Sequence, residues 1–238
     1  MRMLDLCSGL GGASEAMLAN GWEVTRIENN KELGYVPNTI ICDVKDVEWW
    51  AMEKPDLIWA SPPCNEWSDG FHSKKATLRR DGKEYIPNLD ILNTCFEIIN
   101  DIKPKYWVIE NVRGAREFFN PILGEPTQVI DGIYLWGKFP HIAMPAGYKH
   151  RKISKKFDMH DKLRANKRAK IPFEVSLQLM QAIQEQTTLE DWFCLSKGLG
   201  SPVGSRYIFK ILMDCEMCGV EINTHRPPYC DYCWGEEE

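Results

Sequence analysis

The chain has 238 residues, 44% of them hydrophobic, enough for one substantial core and a small appendage. Its net charge of −5 argues against a generic nucleic-acid coat, and it has no apolar run near the length of a membrane span and no charged leader with a cleavage site. A soluble, intracellular, cytoplasmic protein is expected, whose nine cysteines serve as reduced thiols, metal ligands or a nucleophile and not as a disulfide framework.

Arg2 to Leu6 reads as a short strand, followed by the turn Cys7-Ser8-Gly9-Leu10-Gly11-Gly12 and a helix from about Ala13 to Ala19. Glycines let such a turn approach a ligand, and the helix start offers unpaired amides. Glu23 to Ile27 is a second strand ending at Glu28, 23 residues after Asp5. That is the usual place for a carboxylate that accepts ribose hydroxyls, although a solvent-facing strand end fits equally. A third strand near Thr39 to Ile41 ends at Asp43. Successive strand ends carrying polar residues suggest a nucleoside cofactor.

Asp56-Leu57-Ile58-Trp59 reads as a buried parallel strand running into Ala60-Ser61-Pro62-Pro63-Cys64. Two prolines fix two φ angles and remove two amide donors, so the turn holds the Cys64 side chain still. Cys64 is then a nucleophile or a small apolar filler; Cys7, Cys42, Cys95 and Cys194 are read as fillers. Asn65 to Pro87 has no clean period and contains Lys74, Lys75, Arg79 and Arg80. It is either a mobile lid over the site or a surface insertion. Leu89, Leu92, Cys95, Phe96 and Ile99 recur at helical spacing. A fifth strand, Tyr106 to Ile109, ends at Glu110-Asn111-Val112, beside the strand of Cys64 if the sheet is doubly wound.

Thr127 to Ile130 and Ile133 to Trp136 flank Asp131-Gly132, a hairpin signal, so the sheet is expected to close on an antiparallel pair. Lys149 to Lys170 holds ten Lys or Arg against two acids, either a solvated charge run or a phosphate-contacting strap. Pro172 opens a helix with Phe173, Leu177, Met180 and Ile183 on one face. Residues 187–212 are expected to be an irregular linker between a domain over 1–186 and a tail over 213–238. In the tail, Cys215-x2-Cys218 and Cys230-x2-Cys233 have the spacing of a zinc ribbon, which would clip the fold or dock to nucleic acid.

Three ordered segments, Leu4-Asp5-Leu6-Cys7-Ser8-Gly9-Leu10-Gly11-Gly12, Ser61-Pro62-Pro63-Cys64 and Glu110-Asn111-Val112, resemble the cofactor, nucleophile and acid motifs of the DNA cytosine-5 methyltransferases. Trp136-Gly137-Lys138-Phe139-Pro140 and Ala169-Lys170-Ile171-Pro172-Phe173 are reminiscent of compact, phage-like members. The resemblance implies a doubly wound, mostly parallel Rossmann-like sheet and S-adenosylmethionine as cofactor. Its substrate would be cytosine in DNA, flipped out of the duplex to meet Cys64, as in restriction-modification. RNA, a free cytosine nucleotide and a catalytically silent binding module are the alternatives.

On the same resemblance, Cys64 is the nucleophile and Glu110 holds or protonates N3. Glu28 takes the ribose and Asp43 the adenine, while Asp5, Ser8, Gly9, Gly11, Gly12 and Pro62 border the cofactor; Asn111 braces the Glu110 loop. The chain departs from the family pattern at Asn65, where glutamine is usual, and at Lys170-Ile171, which lack the usual asparagine before proline. It has no Gln-Arg-Arg-x-Arg motif, leaving Arg113 and Arg151 as guesses for the pyrimidine contact. The space for a target-recognition domain is short, which gives the basic strap and the ribbon a possible share in binding DNA.

Overall fold

The computed structural model describes residues 1–71, 73–150 and 161–196, together with 213–214 and 221–222. Its centre is a seven-stranded sheet of order β3-β2-β1-β4-β5-β7-β6. The strands are β1 (Arg2–Leu6), β2 (Glu23–Glu28), β3 (Thr39–Ile41), β4 (Leu57–Ala60), β5 (Tyr106–Asn111), β6 (Gln128–Ile130) and β7 (Ile133–Lys138). The first five are parallel, and β7 runs antiparallel to both β5 and β6. Chain order therefore reverses between β1 and β4, which puts the switch point of the sheet at their carboxyl ends.

Alternation along the strands feeds two cores. Met3, Leu57, Trp59, Tyr106 and Val108 face α1 (Glu15–Ala19) and the buried side of α6 (Phe173–Ser196), which contributes Val175, Leu179, Met180 and Ile183. Leu4, Leu6, Ile58, Ala60 and Ile109 face α3 (Asp90–Ile102), through Leu92, Cys95, Ile98 and Ile99, and α4 (Arg116–Leu123), through Phe119. Burial on both faces explains why β4 and β5 read as near-continuous apolar runs and not as alternating strands.

The hairpin turns where the dipeptide predicts: Asp131 and Gly132 both take positive φ, 39° and 91°, the left-handed pair that a tight two-residue turn needs. Three expectations change. The helix expected from Ala13 begins instead as a tight 3-10 turn, Gly12–Ser14, before α1. The stretch expected to lack order after Cys64 contains α2 (Lys74–Arg80), started by Ser73, whose hydroxyl accepts the Ala76 amide at 3.1 Å. The helix opened by Pro172 runs to Ser196, ten residues into the expected linker, because no glycine or proline interrupts it before Gly198.

The chain divides into two compact units, Met1–Gln186 and Thr187–Glu238. In the second, Met213 pairs with Ile222 and Asp214 with Glu221 in a short antiparallel ladder. Cys215, Cys218, Cys230 and Cys233 lie outside the described residues, as does Arg151. Among the described residues no group of three or more metal-ligating side chains gathers, and no helix is long and apolar enough to cross a membrane.

Candidate active site

The β1 turn is organised by carboxylates. Glu28, at the end of β2, accepts the Gly9 amide at 2.8 Å and the Asn30 amide at 2.9 Å, one on each oxygen. Asp5 is fully buried and accepts the Ser14 hydroxyl at 2.6 Å; Arg26 donates to that same hydroxyl at 2.8 Å. Burial raises the Asp5 carboxyl to about 6 against the opposing pull of Ser14 and Arg26. Its second oxygen, Oδ1, and the Ser8 hydroxyl are buried without a hydrogen-bond partner.

The glycines of this turn divide their work. Gly11 has φ 71°, and a Cβ there would overlap the Arg26 guanidinium. Gly12 faces the backbone of Ile171, so it admits the chain's own later segment. Ser176 on α6 completes this clasp, donating to the Ala13 carbonyl at 2.9 Å and accepting the Ala16 amide at 3.1 Å. The Lys170 to Ser176 stretch therefore holds the glycine-rich turn in place, and Lys170 adds an ion pair to Glu15 at 2.9 Å. Asp43 lies after β3, where it accepts the Lys45 amide at 3.0 Å.

At the other side of the switch point, register decides what meets. Ala60 pairs with Ile109, so Ser61 and Glu110 come next on adjacent strands. The Trp59 indole donates to the Ser61 hydroxyl at 2.8 Å, and Ser61 in turn hydrogen-bonds Glu110. Burial outweighs that bond and lifts the Glu110 carboxyl to about 7.

The Pro-Pro turn cannot donate, so its carbonyls are held by side chains. Asn111 donates to the Pro62 carbonyl at 2.8 Å, and the Trp67 indole to the Pro63 carbonyl at 2.8 Å. The Asn111 side chain thus braces the turn that carries Cys64, and it also accepts the Val112 amide at 2.9 Å. Cys64 opens a 3-10 turn, Cys64–Glu66, with its thiol half-buried. Burial raises its pKa first and the Glu110 charge second, while Arg168 pulls it down. The Glu110 charge therefore opposes ionisation of the thiol.

Several contributors are not visible in the sequence pattern. Arg168, on α5 (Arg164–Ala169) within the basic stretch, is the arginine whose charge reaches the thiol. Arg113 is mostly exposed and sits 3.9 Å from Asp69. Trp67 and Gly114 carry no motif of their own, and Ser61 has only its place in Ser61-Pro62-Pro63-Cys64; their register beside Glu110 and Cys64 is the signal, and it requires the sheet order. Elsewhere in the basic stretch, Lys162 pairs with Glu32 at 3.4 Å and Lys167 with Asp161 at 2.8 Å.

A glycine-rich turn after β1, a thiol after β4 and a buried carboxyl in β5, at the carboxyl ends of a sheet whose chain order reverses between β1 and β4, define a doubly wound α/β protein. The sequence model of the C-5 cytosine-specific DNA methylases matches residues 1–122, just over half of the chain, and the chain belongs to that family. It is 30% identical over 125 residues to the type II methyltransferase M.FnuDI of Fusobacterium nucleatum. That match covers 48% of this chain and 33% of the relative, so the shared stretch is a third of the relative's length.

Solved structures resemble it more distantly. A prophage-encoded protein of E. coli assigned as a DNA modification methyltransferase has a TM-score of 0.39 at 16% identity, over 58% of this chain and 46% of that one. The Dnmt2 methyltransferase of S. pombe gives 0.32 at 23% identity, over 49% and 38%.

Proposed function

We propose that this protein transfers a methyl group from S-adenosylmethionine to C5 of cytosine in DNA through a transient bond between the Cys64 sulfur and C6 of the base. The observation that carries this reading is the register that sets a half-buried thiol after β4 and a buried carboxyl raised to about 7 on the neighbouring β5. Cytosine C5 is a poor nucleophile. Addition of the Cys64 thiolate at C6 makes C5 an enamine carbon, and negative charge develops towards N3. Glu110 in its protonated form donates to N3 and neutralises that charge, which its raised pKa suits it to do near neutrality. After methylation, loss of the C5 proton to solvent forms the C5–C6 double bond and expels the sulfur as thiolate, while N3 returns its proton to Glu110 and the ring is restored.

The residues at the β1 turn fit the cofactor. Glu28 has one amide on each oxygen and so keeps lone pairs for two ribose hydroxyls. Asp5 Oδ1 and the Ser8 hydroxyl, buried and unpartnered, suit the polar methionine end beside Gly9. Asp43 accepts the Lys45 amide on Oδ1, and its Oδ2, 4.0 Å from the Lys45 ammonium, would take the adenine amino group. S-adenosylmethionine supplies an electrophilic methyl on a sulfonium. Pro62, with its carbonyl held by Asn111, would border the cofactor from the turn that carries Cys64. For duplex DNA the target base must leave the stack to reach Cys64.

Incubation with S-adenosylmethionine and duplex DNA containing 5-fluorocytosine tests the reading, because fluorine at C5 cannot leave as a proton does. A covalent protein–DNA adduct is expected. Labelled methyl transfer into duplex DNA, tRNA and dCMP fixes the substrate class. Transfer into tRNA or dCMP alone would replace DNA, and tight cofactor binding without transfer to any of them would mark a silent module.

A further inference from the structure

Lys75 belongs to a basic cluster that reads as solvent-facing, yet its side chain is 2% exposed. An ammonium has three donors, and each finds an acceptor. These are the Trp67 carbonyl at 3.1 Å, the Gly114 carbonyl at 2.9 Å and Asp69 Oδ1 at 2.8 Å. Trp67 and Asp69 follow Cys64 in the chain, and Gly114 follows Glu110. The two segments meet backbone to backbone there, since a Cβ on Gly114 would overlap the Trp67 carbonyl. From Trp67 the path to the nucleophile is stiff. Its indole holds the Pro63 carbonyl, and its ring packs on Phe118 and Phe119 with centroids 5.8 and 5.1 Å away.

An apolar side chain of similar volume would fill this space without the cost of desolvating a charge. What the ammonium adds is one buried charge shared by oxygens from both segments, two carbonyls and Asp69, with Glu117 3.7 Å away. We infer that Lys75 is a positioning residue, setting the Cys64 thiol against the Glu110 carboxyl by tying the segment after one to the turn after the other. The inference rests on the methyl-transfer reading above. It also replaces the picture of a mobile lid with one in which the start of that segment is bolted down.

The test compares the full-length protein with Lys75→Met and Lys75→Arg, measuring the melting temperature, the dissociation constant for S-adenosylmethionine and the rate of adduct formation on 5-fluorocytosine DNA. Because misplacing reacting groups by about 1 Å costs about 100-fold in rate, Lys75→Met should slow the adduct by about that factor while cofactor affinity stays within about twofold. Lys75→Arg, which keeps the charge but carries a wider planar donor set, should recover only part of the loss. A wild-type adduct rate in Lys75→Met overturns the inference. If Lys75→Met does not fold, Asp69→Asn decides, removing the carboxylate and leaving both carbonyls: a slower adduct at unchanged cofactor affinity supports the inference and an unchanged rate overturns it. A wild-type protein that forms no adduct overturns the methyl-transfer reading itself, and the inference falls with it.

Discussion

The two sides of the switch point treat Glu28 and Glu110 in opposite ways. At the ends of β1 and β2, carboxylates organise backbone: Glu28 ties down the Gly9 and Asn30 amides, and Asp5 anchors Ser14 beside Arg26. At the ends of β4 and β5, other residues hold the backbone, through Asn111, Trp67 and Lys75. That leaves Cys64 and Glu110 desolvated and weakly compensated, with both pKa values raised. The contrast is between Glu28 and Glu110, because Asp5 is itself raised to about 6 by burial and keeps Oδ1 unpartnered among the described residues. A reacting half needs groups whose protons are still available, and under-compensated burial supplies them.

The largest effect should come from the sulfur. Cys64→Ala should form no adduct with 5-fluorocytosine DNA while binding S-adenosylmethionine as the wild type does; a surviving adduct would move the chemistry elsewhere.

Glu110→Gln should slow adduct formation by about 10²- to 10⁴-fold. Its pH dependence sharpens the comparison. Below about 7 Glu110 carries its proton, and the rate of the wild type should rise with the growing thiolate fraction. Above about 7 each gain in thiolate is cancelled by loss of the Glu110 proton, so the profile should flatten until the raised thiol pKa is reached. Glu110→Gln should have no break there and keep rising, and a break near neutrality in that variant would assign it to another group.

Gly114→Ala forces a Cβ onto the Trp67 carbonyl, so the two loops must part. We expect about a 100-fold slower adduct with cofactor binding retained. In the other half, Glu28→Gln should weaken S-adenosylmethionine about tenfold, the scale of losing a charge-assisted hydrogen bond, and leave the adduct rate at saturating cofactor nearly unchanged. If Glu28→Gln instead lowered the saturated rate, the two halves would not be separable, and the contrast between them would fail.

Much of this was legible in the chain before folding. β3 lies where its residues predict, β4 and β5 read as buried runs, and Asp131-Gly132 marks the hairpin, because these signals are local: apolar content, turn chemistry and a positive φ that glycine accepts. The motif residues Asp5, Glu28, Cys64 and Glu110 also stand out, since each sits at the end of a recognisable strand. Local signals do not reveal partners. Lys75 looks like any solvated lysine among basic neighbours, and Gly12 looks like a cofactor glycine until Ile171 is seen against it.

The amino-acid order alone therefore determined the strands, the turn that carries the thiol and the family to which the chain belongs. Tertiary structure decided which strand ends became neighbours, which groups lost water and which cation turned inward. The physical reason is that periodicity and turn propensity act over a few residues, whereas desolvation and charge coupling depend on what other segments bring alongside: Glu110 is raised by the burial around it, and Cys64 by burial together with a carboxyl 46 positions away in the chain.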